Sequence, residues 1–295
     1  MSKVLCVADL HLRHDRPVCR SDKDWIESQI ADLKNIGEII REEDCTEVWL
    51  LGDIFHRPVE PPEIVNLAVN GFNEWKCDIY AIAGNHDLEH HSMLNWEKSS
   101  LSNLFNAGVL KSFLDRPGVA IGAYNFDEEN SSHLPDDDIV LCHRLVFKDD
   151  RMKNLISGYT AEDMLKLFPK AKVILMGDYH EGWDTNIQNV SMAMIGCMNI
   201  QSGKLKDYKP RVGVFDTETL ELKFVELPQD HVDITTEHLV EADRRNSRLE
   251  ACMKSISDVQ SMEFDFLGNL RSLASANNKL TELTDELVDE LNKEK

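Results

Sequence analysis

No two cysteines in this chain stand three positions apart, so it has no C-x-x-C redox or zinc-thiolate element. The seven cysteines, Cys6, Cys19, Cys45, Cys77, Cys142, Cys197 and Cys252, are odd in number and widely spaced. That argues against a disulfide framework and for reduced thiols in a cytoplasmic protein. Cys6 and Cys142 lie in apolar runs and are expected to be small core residues. No apolar run nears the roughly 18 residues that cross a bilayer. No N-terminal stretch joins a basic start, an apolar middle and a small-residue cleavage site. The expectation is a soluble protein with no export signal and no membrane partner. Basic residues are the other shortage: Lys and Arg number 32 against 53 Asp and Glu, a formal net charge of −21. Such a field repels nucleic acid at long range, so a polyanionic substrate needs a local basic strip, bound metal or a partner subunit.

What is present reads as a folded α/β protein. Apolar runs of strand length occur at 4–8 (VLCVA), 47–51 (EVWLL), 78–83 (DIYAIA), 118–124 (GVAIGAY), 138–142 (DIVLC) and 172–176 (KVILM). They do not alternate cleanly, as expected of strands covered on both faces. Ile26, Ile30, Leu33, Ile36 and Ile40 share one helical face. In 61–75, proline opens a helix with Ile64, Leu67, Ala68, Phe72 and Trp75 on a common side. Strands alternating with helices mean an α/β architecture. Residues 211–227 read as two antiparallel strands around a turn at 216–219. From about residue 236 the pattern is helical, with Leu280, Leu283, Leu287 and Leu291 on one stripe after a break at 272–278. The expected domains are 1–230 and a helical C-terminal extension, 231–295.

The chemistry lies in the residues just past the strand ends. Asp9 and His11 come after the first strand, and Asp53 after the second; Asn85, His86 and Asp87 come after the third. His143 ends the run at 138–142, and Asp178 and His180 come after that at 172–176. Any one of these alone is commonly a helix cap or a turn residue. Ligands of α/β sheets bind at the carboxyl ends of strands, so five such ends should converge on one site. Asp and Asn oxygens mixed with imidazoles, without thiolate, suit Mn²⁺, Fe²⁺ or Zn²⁺, and Mg²⁺ less. The set exceeds the needs of one ion. Two ions about 3.5–4 Å apart, bridged by one carboxylate, would use it, and Asp53 is the expected bridge.

This order and spacing, Asp9-x-His11, Gly52-Asp53, Gly84-Asn85-His86-Asp87, His143 and the GDYH segment ending at His180, resembles the motif series of calcineurin-like metallophosphoesterases. Within them, "GDIFHRPVEPP" followed by "AIAGNHD" is most similar to SbcD-type DNA double-strand-break nucleases, and residues 196–216 give weaker support. The resemblance implies a four-layer αββα sandwich with mixed sheets. It implies that Asp9, His11 and His180 hold one metal and Asn85 and His143 the other, with Asp53 shared. His86 would stand beside the scissile phosphate, and Asp87 would orient His86 by a hydrogen bond. The family has Gly-His-x-His where this chain has Gly177-Asp178-Tyr179-His180. Asp178 would replace a second-site imidazole with an oxygen ligand, which shifts the expected pair of ions to Mn²⁺, then Mg²⁺, ahead of Fe²⁺ or Zn²⁺. The implied reaction is metal-dependent hydrolysis of DNA, exo- or endonucleolytic, by a dinuclear metal-activated hydroxide and without a covalent enzyme intermediate.

The scarce basic residues cluster after the motifs. Arg13, Arg16, Arg20 and Arg57 come after the first two, and Arg144, Lys148, Arg151 and Lys153 after His143. Arg13, Arg57 and Arg144 are the expected contacts to flanking phosphates. Interleaved Asp15, Asp22, Asp149 and Asp150 give the competing reading of a solvated surface. His90 and His91 are either substrate contacts or plain surface residues. The resemblance implies that the C-terminal helices dock on an SMC-like ATPase; packing on this chain or forming a homodimer are the alternatives. Two other functions compete with the nuclease: hydrolysis of a small phosphodiester or nucleotide, which the acidic surface suits, and a catalytically weakened DNA-end-binding subunit, which Asp178 would explain.

Overall fold

The computed structural model describes residues 3–117, 121–126, 138–149, 157–237 and 240. Internal contacts divide the chain into Met1–Thr236 and Glu237–Lys295, and the elements below lie in the first unit. They are β1 (Lys3–Val7), α1 (Trp25–Glu42), β2 (Glu47–Leu51), α2 (Pro62–Glu74), β3 (Asp78–Ile82), α3 (Ser100–Asn106), β4 (Ile121–Tyr124), β5 (Ile139–His143), β6 (Val146–Phe147), β7 (Tyr159–Thr160), α4 (Ala161–Leu167), β8 (Val173–Gly177), β9 (Trp183–Ile187), β10 (Val190–Met194), β11 (Arg211–Asp216) and β12 (Leu222–Glu226). The strands form two five-stranded sheets, β12-β11-β1-β2-β3 and β4-β5-β8-β10-β9, and a small pair, β6-β7.

Both sheets are mixed. In the first, β1, β2 and β3 run parallel, β11 runs antiparallel to β1, and β12 antiparallel to β11. In the second, β4, β5, β8 and β10 run parallel and β9 reverses. The lack of alternation in the apolar runs has a direct cause: successive residues belong to different cores. Val48 and Leu50 of β2 join Ile36, Ile64 and Phe72 under α1 and α2. Trp49 and Leu51 face Leu141, Val173 and Leu175 of the other sheet. On the far side, Val140, Cys142, Ile174 and Met176 pack on Ala161, Met164 and Phe168 of α4 and its end. The layers are thus helices, sheet, sheet, helix, the expected αββα sandwich.

Local signals place the helices. Asp24 caps α1 by accepting from the N–H groups of Ile26 and Glu27, and Pro62 opens α2. Thr160 and Asp163 form a capping box at α4. The antiparallel pair at 211–227 is there, its turn held by Asp216 Oδ1 accepting from the N–H groups of Glu218 and Thr219. Residues 118–120 of the expected strand at 118–124 and the leucine stripe at 280–291 fall outside the described residues. Residues 231–235, counted with the extension above, run along the first unit. His231 Nε2 meets Asp32 Oδ1 at 3.0 Å, and Ile234 bridges Arg20. Among the described residues no helix is long and apolar enough to cross a membrane.

Trp49 is fully buried between the sheets, with Phe113 edge-on at 5.6 Å and Phe215 at 5.8 Å. Trp49→Ala empties the centre of the sandwich and is expected to lower unfolding free energy by about 3–5 kcal/mol, measured by denaturant titration.

Candidate metal centre

The parallel strands β1, β2 and β3 of one sheet and β5 and β8 of the other end on the same rim. There the backbone leaves its ordinary range: φ is +51° at Asp9, +45° at His11, +52° at Asp53 and +103° at Asp178. Left-handed backbone at non-glycine residues costs roughly 1–3 kcal/mol each and persists only where the surroundings fix it. Here the loops are laced together. Asp9 N–H donates to Gly52 O at 3.2 Å, His11 N–H to Asp53 O at 2.9 Å, and Met198 N–H to Asp9 O at 3.3 Å. Gly84 is needed beside them, because a Cβ there would overlap Asp53 Oδ1.

Side chains from all five strand ends meet. Asp53 Oδ2 lies 3.5 Å from His11 Nε2 and 3.4 Å from His143 Nε2. His11 Nε2 faces His180 Nε2 at 3.0 Å, and His143 Nε2 faces Asn85 Oδ1 at 3.1 Å. Asp9, His11 and His180 form one group of converging donors, and Asp9, Asp53 and His143 another. Two imidazole nitrogens facing each other with at most one proton between them, next to a carboxylate, suit a cation in their midst. His143 Nδ1 is 2.7 Å from Leu51 O. A carbonyl only accepts, so Nδ1 carries the proton and Nε2 keeps its lone pair for a metal. The donor set fits two divalent ions around Asp53.

Burial sets the electrostatics. Burial alone would raise the Asp53 carboxyl, but the neighbouring His143, with His11, holds it well below the usual carboxylate range. Burial opposes the charged form of His143, yet Asp53 and Asp9 raise it well above its ordinary 6.5. Burial drives Asp9 up and His11 and His180 down. Bound cations would favour ionised Asp9 and neutral imidazoles.

Asp178 behaves differently from the other expected ligands. Its N–H donates to both Asp9 carboxylate oxygens at 3.2 Å, and its carboxylate belongs to none of the converging groups. Asp87 corrects the expected role. It is fully buried and accepts from the N–H groups of Phe55 at 2.9 Å, Gly84 at 2.9 Å and Ile54 at 3.3 Å, so its hydrogen bonds fasten two loops, and the Nδ1 of His86 bonds the His56 carbonyl instead. Burial, then Asp53, pushes Asp87 up to about 7. His86 is oriented instead by the His56 carbonyl, 2.8 Å from Nδ1, and its N–H donates to Asp53 Oδ1 at 2.9 Å.

His56 is the residue the motif reading passed over. Its ring stacks on His86 at 5.1 Å and meets His11 edge-on at 5.5 Å. Burial, then Arg13, lowers it to about 4. Its place three residues after Asp53 was the available signal.

The basic rim is more neutralised than expected. Arg13 pairs with Asp15 and reaches Gln201 Oε1 at 3.4 Å, and Arg57 meets Asp15 at 3.2 Å. Arg144 donates to Tyr159 OH at 3.3 Å. Arg20 is no rim contact: it is buried, bound to Asp22 at 2.6 Å, and packed over Trp25. Lys148 is exposed, as is His90; His91 Nδ1 bonds Asn85 O at 2.9 Å. Arg151, Lys153 and Asp150 lie outside the described residues.

This geometry has two measurable outcomes. Since metal needs neutral His143, whose proton Asp53 holds, Mn²⁺ binding should release protons and tighten as pH rises through and beyond 6.5. Calorimetry in buffers of different ionisation enthalpy measures both. Gly84→Ala should displace Asp53 and cut Mn²⁺ affinity at least tenfold in the same titration.

No curated protein sequence matches the chain. Solved structures similar to it include a dimetal phosphatase from Danio rerio, 11% identical with a TM-score of 0.48, covering 79% of this chain and 98% of that one. An archaeal phosphodiesterase is 16% identical with a TM-score of 0.41, covering 76% and 99%. A Thermus thermophilus protein, TT1561, is 6% identical with a TM-score of 0.46, covering 77% and 99%. The match to a family is more direct: residues 2–182, more than half the chain, fit the calcineurin-like phosphoesterases. The chain belongs to the calcineurin-like phosphoesterase family and is a metal-dependent hydrolase of phosphoester bonds.

Proposed function

We propose that the chain hydrolyses DNA phosphodiesters as an exo- or endonuclease of the double-strand-break repair and recombination type. The observation that carries phosphodiester chemistry is Asp53, shared between the donors around His11 and those around His143. DNA as the substrate rests on the resemblance of "GDIFHRPVEPP" and "AIAGNHD" to SbcD-type nucleases. In this reading Asp9, His11 and His180 hold one ion, Asn85 and His143 the other, and Asp53 both, with Mn²⁺ preferred. When bound, the pair supplies Lewis-acid charge and acidifies the attacking water. The chain's own residues do the rest. His86 keeps Nδ1–H on the His56 carbonyl, so Nε2 donates a hydrogen bond or a proton to the leaving oxygen when the ring is the imidazolium, protonated on both nitrogens, and accepts when it is neutral. Asp87 keeps the His86 loop and the Asp53 loop at a fixed spacing. The C-terminal extension is assigned to an SMC-like ATPase partner, or else to a homodimer contact, in the cytoplasm.

A second reading, a small phosphodiester or nucleotide as substrate, is favoured by the net charge of −21 and by Asp15 pairing with both Arg13 and Arg57. Purified protein with Mn²⁺, tested on labelled linear DNA, a chromogenic phosphodiester and a cyclic nucleotide, separates the two. DNA degradation is expected, reduced about 100-fold or more by His86→Ala. Turnover of the small esters with DNA left intact would establish the second reading. Asp178→His should raise metal occupancy. If it also lowers turnover, Asp178 is an adaptation; if it creates activity where none existed, the chain is a weakened relative.

A further inference from the structure

The three residues assigned to the first ion, Asp9, His11 and His180, share one further support. Residues 197–201 bond the main chain of all three. Met198 N–H donates to Asp9 O at 3.3 Å, Gln201 Nε2 to His11 O at 3.0 Å, and Cys197 N–H to His180 O at 3.0 Å. Buried Asn199 adds a longer bond from Nδ2 to Leu10 O at 3.5 Å. Asp9 and His11 are left-handed, and such backbone holds only where its surroundings fix it. Their N–H groups are tied to Gly52 and Asp53, so 197–201 fixes the opposite, carbonyl side. The second set is held elsewhere: His143 Nδ1 donates to Leu51 O, and Asn85 O accepts from His91 Nδ1.

A buried ion pair grips this segment in turn. Arg20 is fully buried; its Nη2 and Nε bond Asp22 Oδ2 at 2.6 and 3.0 Å, and its Nη1 donates to Ile200 O at 3.2 Å. Asp22 Oδ1 accepts from Asp233 N–H at 2.7 Å. Ser21 N–H donates to Asp233 O at 2.9 Å, and Thr235 N–H to Cys19 O at 2.7 Å. Ile234, between those two, packs on the cluster of Cys197, Ile200 and Leu205. Residues 233–235 therefore clasp 19–22 and 197–205 together. A buried ion pair adds little net stability, because desolvation offsets its attraction. An apolar pair of similar volume would fill the space, but it would supply no donor for Ile200 O and no acceptor for Asp233 N–H. Resting on the ligand assignment of the proposed function, we propose that Arg20, held by Asp22 and acting through Ile200, is a positioning residue for the first metal ion.

Equilibrium dialysis of the full chain against Mn²⁺, with the bound metal measured by atomic absorption, tests this. The wild-type protein should bind two ions. The double variant Arg20→Met with Asp22→Leu leaves no charge buried, so it should fold. In it one of the two affinities should fall about tenfold while the other holds. Arg20→Lys keeps a charge for Asp22 but lacks the planar fork that also reaches Ile200 O. It should fold and show the same loss at one ion, which a role confined to the ion pair would not produce. Should the double variant not fold, Arg20→Lys decides. Turnover of bis(p-nitrophenyl) phosphate by either variant should need about tenfold more Mn²⁺ for half its maximum, with the maximum retained. Unchanged affinities, or equal loss at both ions, overturn the positioning role and leave the two-ion centre standing. Wild-type protein that binds fewer than two ions defeats the two-ion reading and the positioning role with it.

Discussion

Everything in this molecule depends on one desolvated carboxylate. Asp53 sits at the end of a strand buried on both faces, 1% exposed, with imidazoles on either side. A lone anion in that position would take up a proton. It stays ionised because His11 and His143 share its charge and the His86 N–H binds its other oxygen. The surrounding loops exist to keep those partners within reach. The left-handed turns at Asp9, His11 and Asp53 bend three chains onto the rim, and the hydrogen bonds between the loops hold the bends in place.

Asp87 shows how the work is divided. Its three backbone donors come from the segments on both sides of the cluster, so one side chain replaces a loop-to-loop ladder. The His86 ring is instead set by a main-chain carbonyl of the neighbouring loop. A carbonyl cannot be titrated or rotated away, which makes it a firmer guide than a carboxylate.

Much of this was legible in the residues. The six apolar runs, the faces of α1 and α2, and the five strand ends could be read because burial on both sides of a sheet leaves a continuous apolar run bounded by polar residues. The edge strand β9 could not, since Asp184 and Asn186 face solvent and only Trp183 and Ile187 of its five residues are apolar. At the site, the residue types located the side chains that converge, Asp178 aside, but not their hydrogen-bond partners. Hydrogen bonding of Asp87 to backbone, and of Arg13 and Arg57 to Asp15, depends on loop paths that have no periodicity to read. His56 has no sequence signal of its own because it is one imidazole among several in the chain, and its contacts with His86 and His11 give it a place.

His143 bonds the carbonyl of Leu51, and those two residues belong to different sheets. The cluster therefore spans the seam of the sandwich, with Asp9, Asp53 and Asn85 on one slab and His143 and His180 on the other. A slip of one slab along the other by a fraction of an ångström would change every ligand distance at once while leaving each slab intact. Packing deep in the hydrophobic interlayer thus acts as the gauge block of the active centre, and substitutions far from any ligand can detune it.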